Sequence, residues 1–181
     1  MKRSEVKKAR RLSAQEIKKC LERFCREMLR QYHGTENLAF IGIRTRGFYL
    51  AKRLCDMLRK NAEREIPLGE LDITLYRDDL NTLLPTGRVD HTRIPFDINN
   101  KTIVLVDDVL NTGRTVRAAV DHLIDLGRPK LIHLAVLIDR GGREFPIAAN
   151  FVGKRINLPA KGDVQVKLKE VDKVDEVLIK D

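Results

Sequence analysis

No apolar run in the 181 residues approaches the ~18 consecutive residues that a membrane helix needs. The N-terminus is basic and carries no apolar core of a secretory signal, so neither a membrane span nor a signal peptide is expected and the protein should be cytoplasmic. Cysteine is scarce: Cys20, Cys25 and Cys55 are odd in number, lack metal-type spacing and fall in helical patterns. They are expected to be reduced thiols in or beside the core, with no disulfide and no structural zinc. Internal repeats are missing, as is a Walker A loop, because no Gly-Lys-Ser/Thr follows a spaced glycine. Acidic residues are thin at one end only. Residues 1–31 hold eleven Lys or Arg against four Glu, a net of +7 within a chain total of +9. Such a segment suits a polyanionic partner, or is simply a solvated face.

What is present is an ordinary 43% of hydrophobic residues, enough for one domain with a full core. The stretch that organises the chain is Ile103 to Thr115. Ile103, Val104, Leu105 and Val106 read as a strand buried on both faces that stops at two carboxylates, Asp107 and Asp108. Thr112, Gly113 and Thr115 follow, before a helical pattern in Val116, Val120, Leu123 and Ile124. Unpaired N–H groups and the positive dipole end at a helix start make an anion site, and Gly113 admits a phosphate closely. Carboxylates at the carboxyl end of a parallel strand can accept hydrogen bonds from sugar hydroxyls or hold Mg²⁺ through water. Phosphate on one side and a diol on the other describe a ribose 5-phosphate.

The other elements follow in order. Residues 1–11 are expected to form a basic, disordered tail, and residues 12–181 one domain. Ser13 and Glu16 form a capping box that opens a helix whose apolar stripe is Ile17, Leu21, Phe24 and Met28, with Gly34 ending it. Lys19, Arg23, Arg26 and Arg30 repeat that spacing two residues later, about 200° round, and should face away from the core. Leu38–Ile43 reads as a buried strand running into Arg44, Thr45, Arg46 and Gly47 and then a helix. Leu71–Tyr76 is expected to be the next strand, followed by a long polar stretch from about 77 to 100. Gly127 and Pro129 end the central helix, and Leu131–Ile138 makes another buried strand that holds His133 as a core or edge residue. Phe151–Val152, Val164–Leu168 and Val174–Ile179 read as short strands, the last two a hairpin turned near Asp172. The βαβ alternation gives a parallel sheet with helices on both faces.

The central motif resembles the phosphoribosyl pyrophosphate (PRPP) motif of the type I phosphoribosyltransferases. That resemblance implies an α/β phosphoribosyltransferase fold with a central parallel sheet, a flexible flap near 77–100 and a small β hood. It places the diphosphate of PRPP on Thr45, Arg46 and Gly47, the ribose hydroxyls on Asp107 and Asp108, and the 5′-phosphate on Asn111, Thr112, Gly113, Arg114 and Thr115, with Val109 and Leu110 also counted in the PRPP or UMP site. Mg²⁺ is implied at Asp107 and Asp108 through water, and Arg77 adds charge from the flap base. Further stretches, among them Gly42–Gly47, Asp72–Leu80, Leu126–Pro129 and Leu137–Pro146, are similar to the branch that joins uracil phosphoribosyltransferase activity to attenuation of a pyrimidine operon.

For that branch the reaction is uracil + PRPP → UMP + diphosphate, with binding of pyr leader RNA in response to UMP or UTP, in dimers or tetramers. Uracil is placed beside Ile138, Asp139 and Arg140, with Val164 as a wall, and RNA on the first helix and Arg143. Departures from the branch stand at Glu22, Arg26, Gly142, Ala148 and Asn157–Pro159. Three readings therefore stay open: a bifunctional enzyme and attenuator, a uracil phosphoribosyltransferase without RNA binding, and a non-catalytic nucleotide-sensing RNA binder.

Overall fold

The computed structural model describes residues 10–32, 37–60, 65–76, 91–159 and 161–180. β1 (Arg10–Ser13) leads into α1 (Ala14–Tyr32), and the expected capping box closes the turn between them. Ser13 N–H donates to Glu16 at 2.7 Å and Glu16 N–H returns to Ser13 Oγ at 3.3 Å. Arg10 and Arg11 thus belong to a strand and not to the tail, whose remaining residues 1–9 lie outside the described ones, as does Gly34.

β2 (Leu38–Ile43), α2 (Arg46–Arg59), β3 (Leu68–Leu71), β4 (Thr102–Leu110), α3 (Arg114–Leu126), β5 (Leu131–Asp139) and β6 (Phe151–Arg155) build the main layer. The five strands are parallel, in the order β3-β2-β4-β5-β6. Alternation divides each strand between two cores. Val104 and Val106 pack with α1 and α2, whereas Ile103 and Leu105 pack with α3. Ile124 lies eight residues past Val116, about 80° round the helix, and is 60% exposed, so the inward face of α3 is Val116, Ala119 and Leu123.

A second sheet, β1-β8-β7, is antiparallel and caps the carboxyl side as a hood. Its strands are β7 (Asp163–Lys167) and β8 (Glu176–Lys180), joined by the four-residue α4 (Lys169–Asp172) where a simple hairpin turn was expected. Leu12, Val166, Leu168, Val177 and Ile179 tie it to the core under α1 and α2.

Two strands differ from expectation. The segment predicted at Leu71–Tyr76 pairs at Leu68–Leu71, because parallel register with Phe40–Ile43 ends there and the Asp72 carboxylate turns the chain by accepting from Thr74 N–H (2.9 Å) and Oγ1 (2.6 Å). β4 does not stop at Asp107 but runs to Leu110, carried by pairing of Val109 and Leu110 with Ile138 and Asp139 of β5. The expected flap falls largely outside the described residues. Its last part is held down: Arg93 exchanges two backbone hydrogen bonds of 2.8 Å with Glu70, and Ile98 is buried.

Candidate active site

The strand order reverses direction between β2 and β4, since β3 lies on one side of β2 and everything after it on the other. Helices α2 and α3 leave on opposite faces at that point, which opens a crevice at the carboxyl ends of the two strands. Pairing of β2 with β4 ends at Gly42–Val106. From Asp107 onward, β4 therefore has a bare edge toward β2. A cleft of about 380 Å³ fills this gap, lined by Thr45 from the β2–α2 turn, Asp72 and Thr74 from the end of β3, and Asp107, Asp108 and Thr115 from β4 and α3. Gly47 holds the two loops together, because a Cβ there would lie 2.4 Å from the Val106 carbonyl oxygen.

Asp107 is buried, and its Oδ1 accepts the Asp108 N–H at 2.9 Å. Asp108 Oδ1 accepts Val109 N–H at 2.9 Å. Burial raises the proton affinity of Asp108 above the ordinary carboxylate value, against the opposing pull of its hydrogen bonds and of Arg46. Beyond them, Arg114 N–H bonds Thr112 Oγ1 (3.3 Å), and Gly113 precedes α3. Leu110 is in the core and Arg114 pairs with Glu144 at 2.6 Å over the Phe145 ring, so neither side chain reaches the cleft as expected.

Around the carboxyl end of β5 the chain wraps back onto this loop. Glu144 and Phe145 N–H groups both donate to Thr112 O, at 2.9 and 3.1 Å. Arg143, expected on RNA, has its guanidinium committed inward: to Ile147 O (2.9 Å), Asn111 O (2.7 Å), Gly141 O (3.3 Å) and Asp139 Oδ1 (2.5 Å). It staples the strand end that holds Asp139 to the loop that begins at Asn111. The Ile138 side chain is fully buried, which leaves only its backbone to meet a base. Arg140 Nε is buried without a hydrogen-bond partner among the described residues. Val164 packs at the edge of the core from the hood.

On α1, Lys19, Arg26 and Arg30 are exposed as expected. Arg23 is not part of a free basic stripe, because Nη2 donates to Val152 O (2.8 Å) and Gly153 O (2.9 Å) on the edge strand β6. The Arg46 side chain is bonded to Asp172 and is not among the residues that line the cleft, although its charge acts on Asp108, and Arg77 lies outside the described residues. Asp72 and Thr74 were missed by sequence reasoning, although Asp-x-Thr is a local turn signal. His133 bonds Tyr32 Oη at 2.6 Å at the opposite end of β5, a structural role.

For Mg²⁺ the donor set is suitable but incomplete. Asp107 and Asp108 offer the one or two carboxylates that the ion ordinarily takes beside phosphate oxygens and water, and no cage of three acidic, His or Cys ligands exists among the described residues.

A parallel sheet with this reversal point, an acid pair on β4 and an anion loop opening α3 define a type I phosphoribosyltransferase. Residues 12–170 match the family model described as phosphoribosyl transferase domain. Two relatives are the bifunctional protein PyrR of Thermus aquaticus, 52% identical over 170 residues and 94% of each chain, and that of Pelotomaculum thermopropionicum, 50% identical over 172 residues and 95% of each chain. Hypoxanthine phosphoribosyltransferase from Trypanosoma cruzi superposes with a TM-score of 0.72 at 18% identity, over 93% of this chain and 92% of that one. A purine phosphoribosyltransferase from Pyrococcus horikoshii gives 0.59 at 24% identity, over 81% and 86%. These two carry the fold alone. The chain belongs to the phosphoribosyltransferase family and, within it, to the PyrR proteins.

Proposed function

We propose that the protein transfers the ribose 5-phosphate of PRPP to uracil, giving UMP and diphosphate, and that it binds pyr leader RNA under the control of UMP or UTP. The observation that carries the catalytic half is the cleft itself, with Thr45, the Asp107–Asp108 pair and Thr115 at the start of α3 lining one crevice. In the reaction, the C1–O bond breaks with its electron pair going to diphosphate, while N1 of uracil forms the C1–N bond and loses its proton. Positive charge develops on the ribose, so the residues must fix both partners in line. Asp107 and Asp108 accept the ribose hydroxyls, and Asp108 is the better proton acceptor of the two because burial raises its affinity. Thr45, Arg46 and the first N–H groups of α2 receive the diphosphate, and Asn111–Thr115 receives the 5′-phosphate. Asp107 and Asp108 would hold Mg²⁺, which would supply charge neutralisation for the leaving group.

Uracil presents two carbonyls and an N–H to the backbone end of β5, and the unpartnered Arg140 Nε suits a pyrimidine carbonyl. Val164 covers the ring. For RNA, the exposed Lys19, Arg26 and Arg30 of α1 support phosphate contact. Dimers or tetramers in the cytoplasm complete the reading.

Diphosphate release from PRPP with uracil, hypoxanthine and orotate tests the enzyme: release with uracil alone is expected, chelation of Mg²⁺ abolishes it, and Asp107→Asn with Asp108→Asn removes it. Substantial turnover by the double variant would refute the assignment. Salt-dependent binding of a pyr leader hairpin that strengthens with UMP is expected, and no binding at low salt removes the RNA role.

A further inference from the structure

Arg46 opens α2, yet its guanidinium is engaged by the hood. Nε donates to Asp172 Oδ2 at 3.1 Å and Nη2 to Oδ1 at 2.8 Å. Asp172 closes α4, and its Oδ2 also accepts the backbone N–H of Leu168 at 2.9 Å, so the carboxylate is fixed by its own turn as well as by the arginine. Seven residues along the same face of α2, Arg53 repeats the arrangement. It grips Glu170 at 2.8 and 2.5 Å and Asp175 at 3.1 and 2.7 Å, and Asp175 in turn accepts Lys169 N–H at 2.8 Å. The turn between β7 and β8 is therefore an acidic socket for two arginines two helical turns apart.

The two arginines differ in what lies beyond them. Arg53 spends its N–H groups on two carboxylates, both in the turn. Arg46 spends only two of a guanidinium's five N–H donors on Asp172, and the others have no hydrogen-bond partner among the described residues. Its charge is also felt by Asp108 on the cleft side. A planar guanidinium held from behind by one bidentate carboxylate, with its other N–H groups unclaimed, is pre-organised for a second anion. Without that grip, Arg46 is a long side chain with several rotamers to lose on binding.

We propose that Asp172, in the hood and outside the cleft, is the positioning residue that orients Arg46 for the diphosphate of PRPP. The proposal rests on the assignment of Arg46 to the diphosphate made above and extends it to a residue no part of that assignment involves. It makes the hood a contributor to PRPP binding and not only a cover for the base. UMP carries no diphosphate, so the effect of Asp172 should be confined to PRPP and to diphosphate itself.

The test compares Arg46→Ala, Asp172→Asn, Asp172→Glu, Arg53→Gln and the Arg46→Ala/Asp172→Asn double variant, measuring KM for PRPP and uracil, kcat, product inhibition by diphosphate, and Kd for UMP. Asp172→Asn is expected to raise KM for PRPP and the inhibition constant of diphosphate roughly tenfold, with kcat and the UMP Kd within about twofold. Asp172→Glu should recover part of the loss, and the double variant should be no worse than Arg46→Ala. Arg53→Gln loosens the same turn without touching Arg46 and should leave the ratio of PRPP to UMP affinity unchanged. The proposal is overturned if Asp172→Asn leaves or lowers both diphosphate constants, if UMP weakens in parallel, or if Arg53→Gln reproduces the effect. A silent Arg46→Ala sinks the diphosphate assignment and the proposal with it; a silent Asp172→Asn beside an impaired Arg46→Ala sinks the proposal alone.

Discussion

Gly47→Ala tests whether one backbone contact sets the spacing of the two loops that flank the cleft. The added Cβ would sit 2.4 Å from Val106 O and 3.2 Å from the Asp107 Cα, where real contacts stay beyond 3.0 Å, so something must move by at least 0.6 Å. Both neighbours are main chain of β4, and no rotamer change relieves them. The turn carrying Thr45 must therefore shift away from Asp107. Over-packing of this kind costs about 1–3 kcal/mol. At this chain length each kcal/mol lowers Tm by about 2–4 °C, so a fall of roughly 2–12 °C is expected. Chemistry should suffer more than stability. A displacement of ~1 Å in a reacting geometry can cost ~10²-fold, so 0.6 Å across the cleft points to a loss of about tenfold or more in kcat/KM for PRPP. The assay is UMP formation well below both melting temperatures, with UMP affinity measured alongside. UMP should be less affected, because the Asn111–Thr115 loop does not rest on Gly47. Activity within twofold of the native protein at unchanged Tm would show that this contact does not fix the spacing.

Three further outcomes follow from the arrangement of charge. Arg143→Ala removes the guanidinium from four carbonyls and the Asp139 carboxylate at once, and should destabilise the fold by about 2 kcal/mol or more while weakening UMP roughly tenfold, as read by thermal melting and calorimetry. Arg23→Gln should cost stability through the lost bonds to Val152 and Gly153, whereas Arg26→Gln and Arg30→Gln should leave Tm unchanged and each flatten the salt dependence of RNA binding by about 0.7 in log–log slope. Asp108 has its folded pKa raised above the ordinary 3.8, so its penalty is absent below that value and grows as pH rises through the folded pKa. Asp108→Asn should therefore raise Tm at neutral pH but not below pH 3.8, and in the native protein the acid limb of kcat/KM should lie above that of an unperturbed aspartate. An equal Tm at neutral pH, or a limb at the ordinary position, would contradict the desolvation of this carboxylate.

The frame of the protein was legible because local signals and long-range order agree. Ser13 and Glu16 sit three apart and cap α1 as their spacing demands, and Leu38–Ile43, apolar at every position, is a central strand covered on both faces. The errors lie where pairing, not composition, decides. Nothing in Ile103–Leu110 reveals that β5 continues past the acid pair, and only that neighbour keeps Asp107 and Asp108 inside a strand. Likewise Leu71–Tyr76 alternates as a strand should, but β2 ends at Ile43 and leaves it no partner on that side.

Arginine was the least legible residue, for a related reason. Helical periodicity gives the direction in which a side chain leaves its own helix and says nothing of what stands opposite. Arg23 and Arg26 are three apart on α1, yet one meets the carbonyls of an edge strand and the other is exposed. The resemblance implies incoming anions for Arg46 and Arg143, and the structure adds that each also holds a protein carboxylate, 126 and 4 residues away. A net charge of +9 thus overstates what is available to RNA or PRPP. Arg46 and Arg53 fasten the hood, Arg143 the β5 end and Arg23 the β6 edge, so these four arginines hold elements of the fold together, a task that the periodicity of a helix does not distinguish from facing solvent.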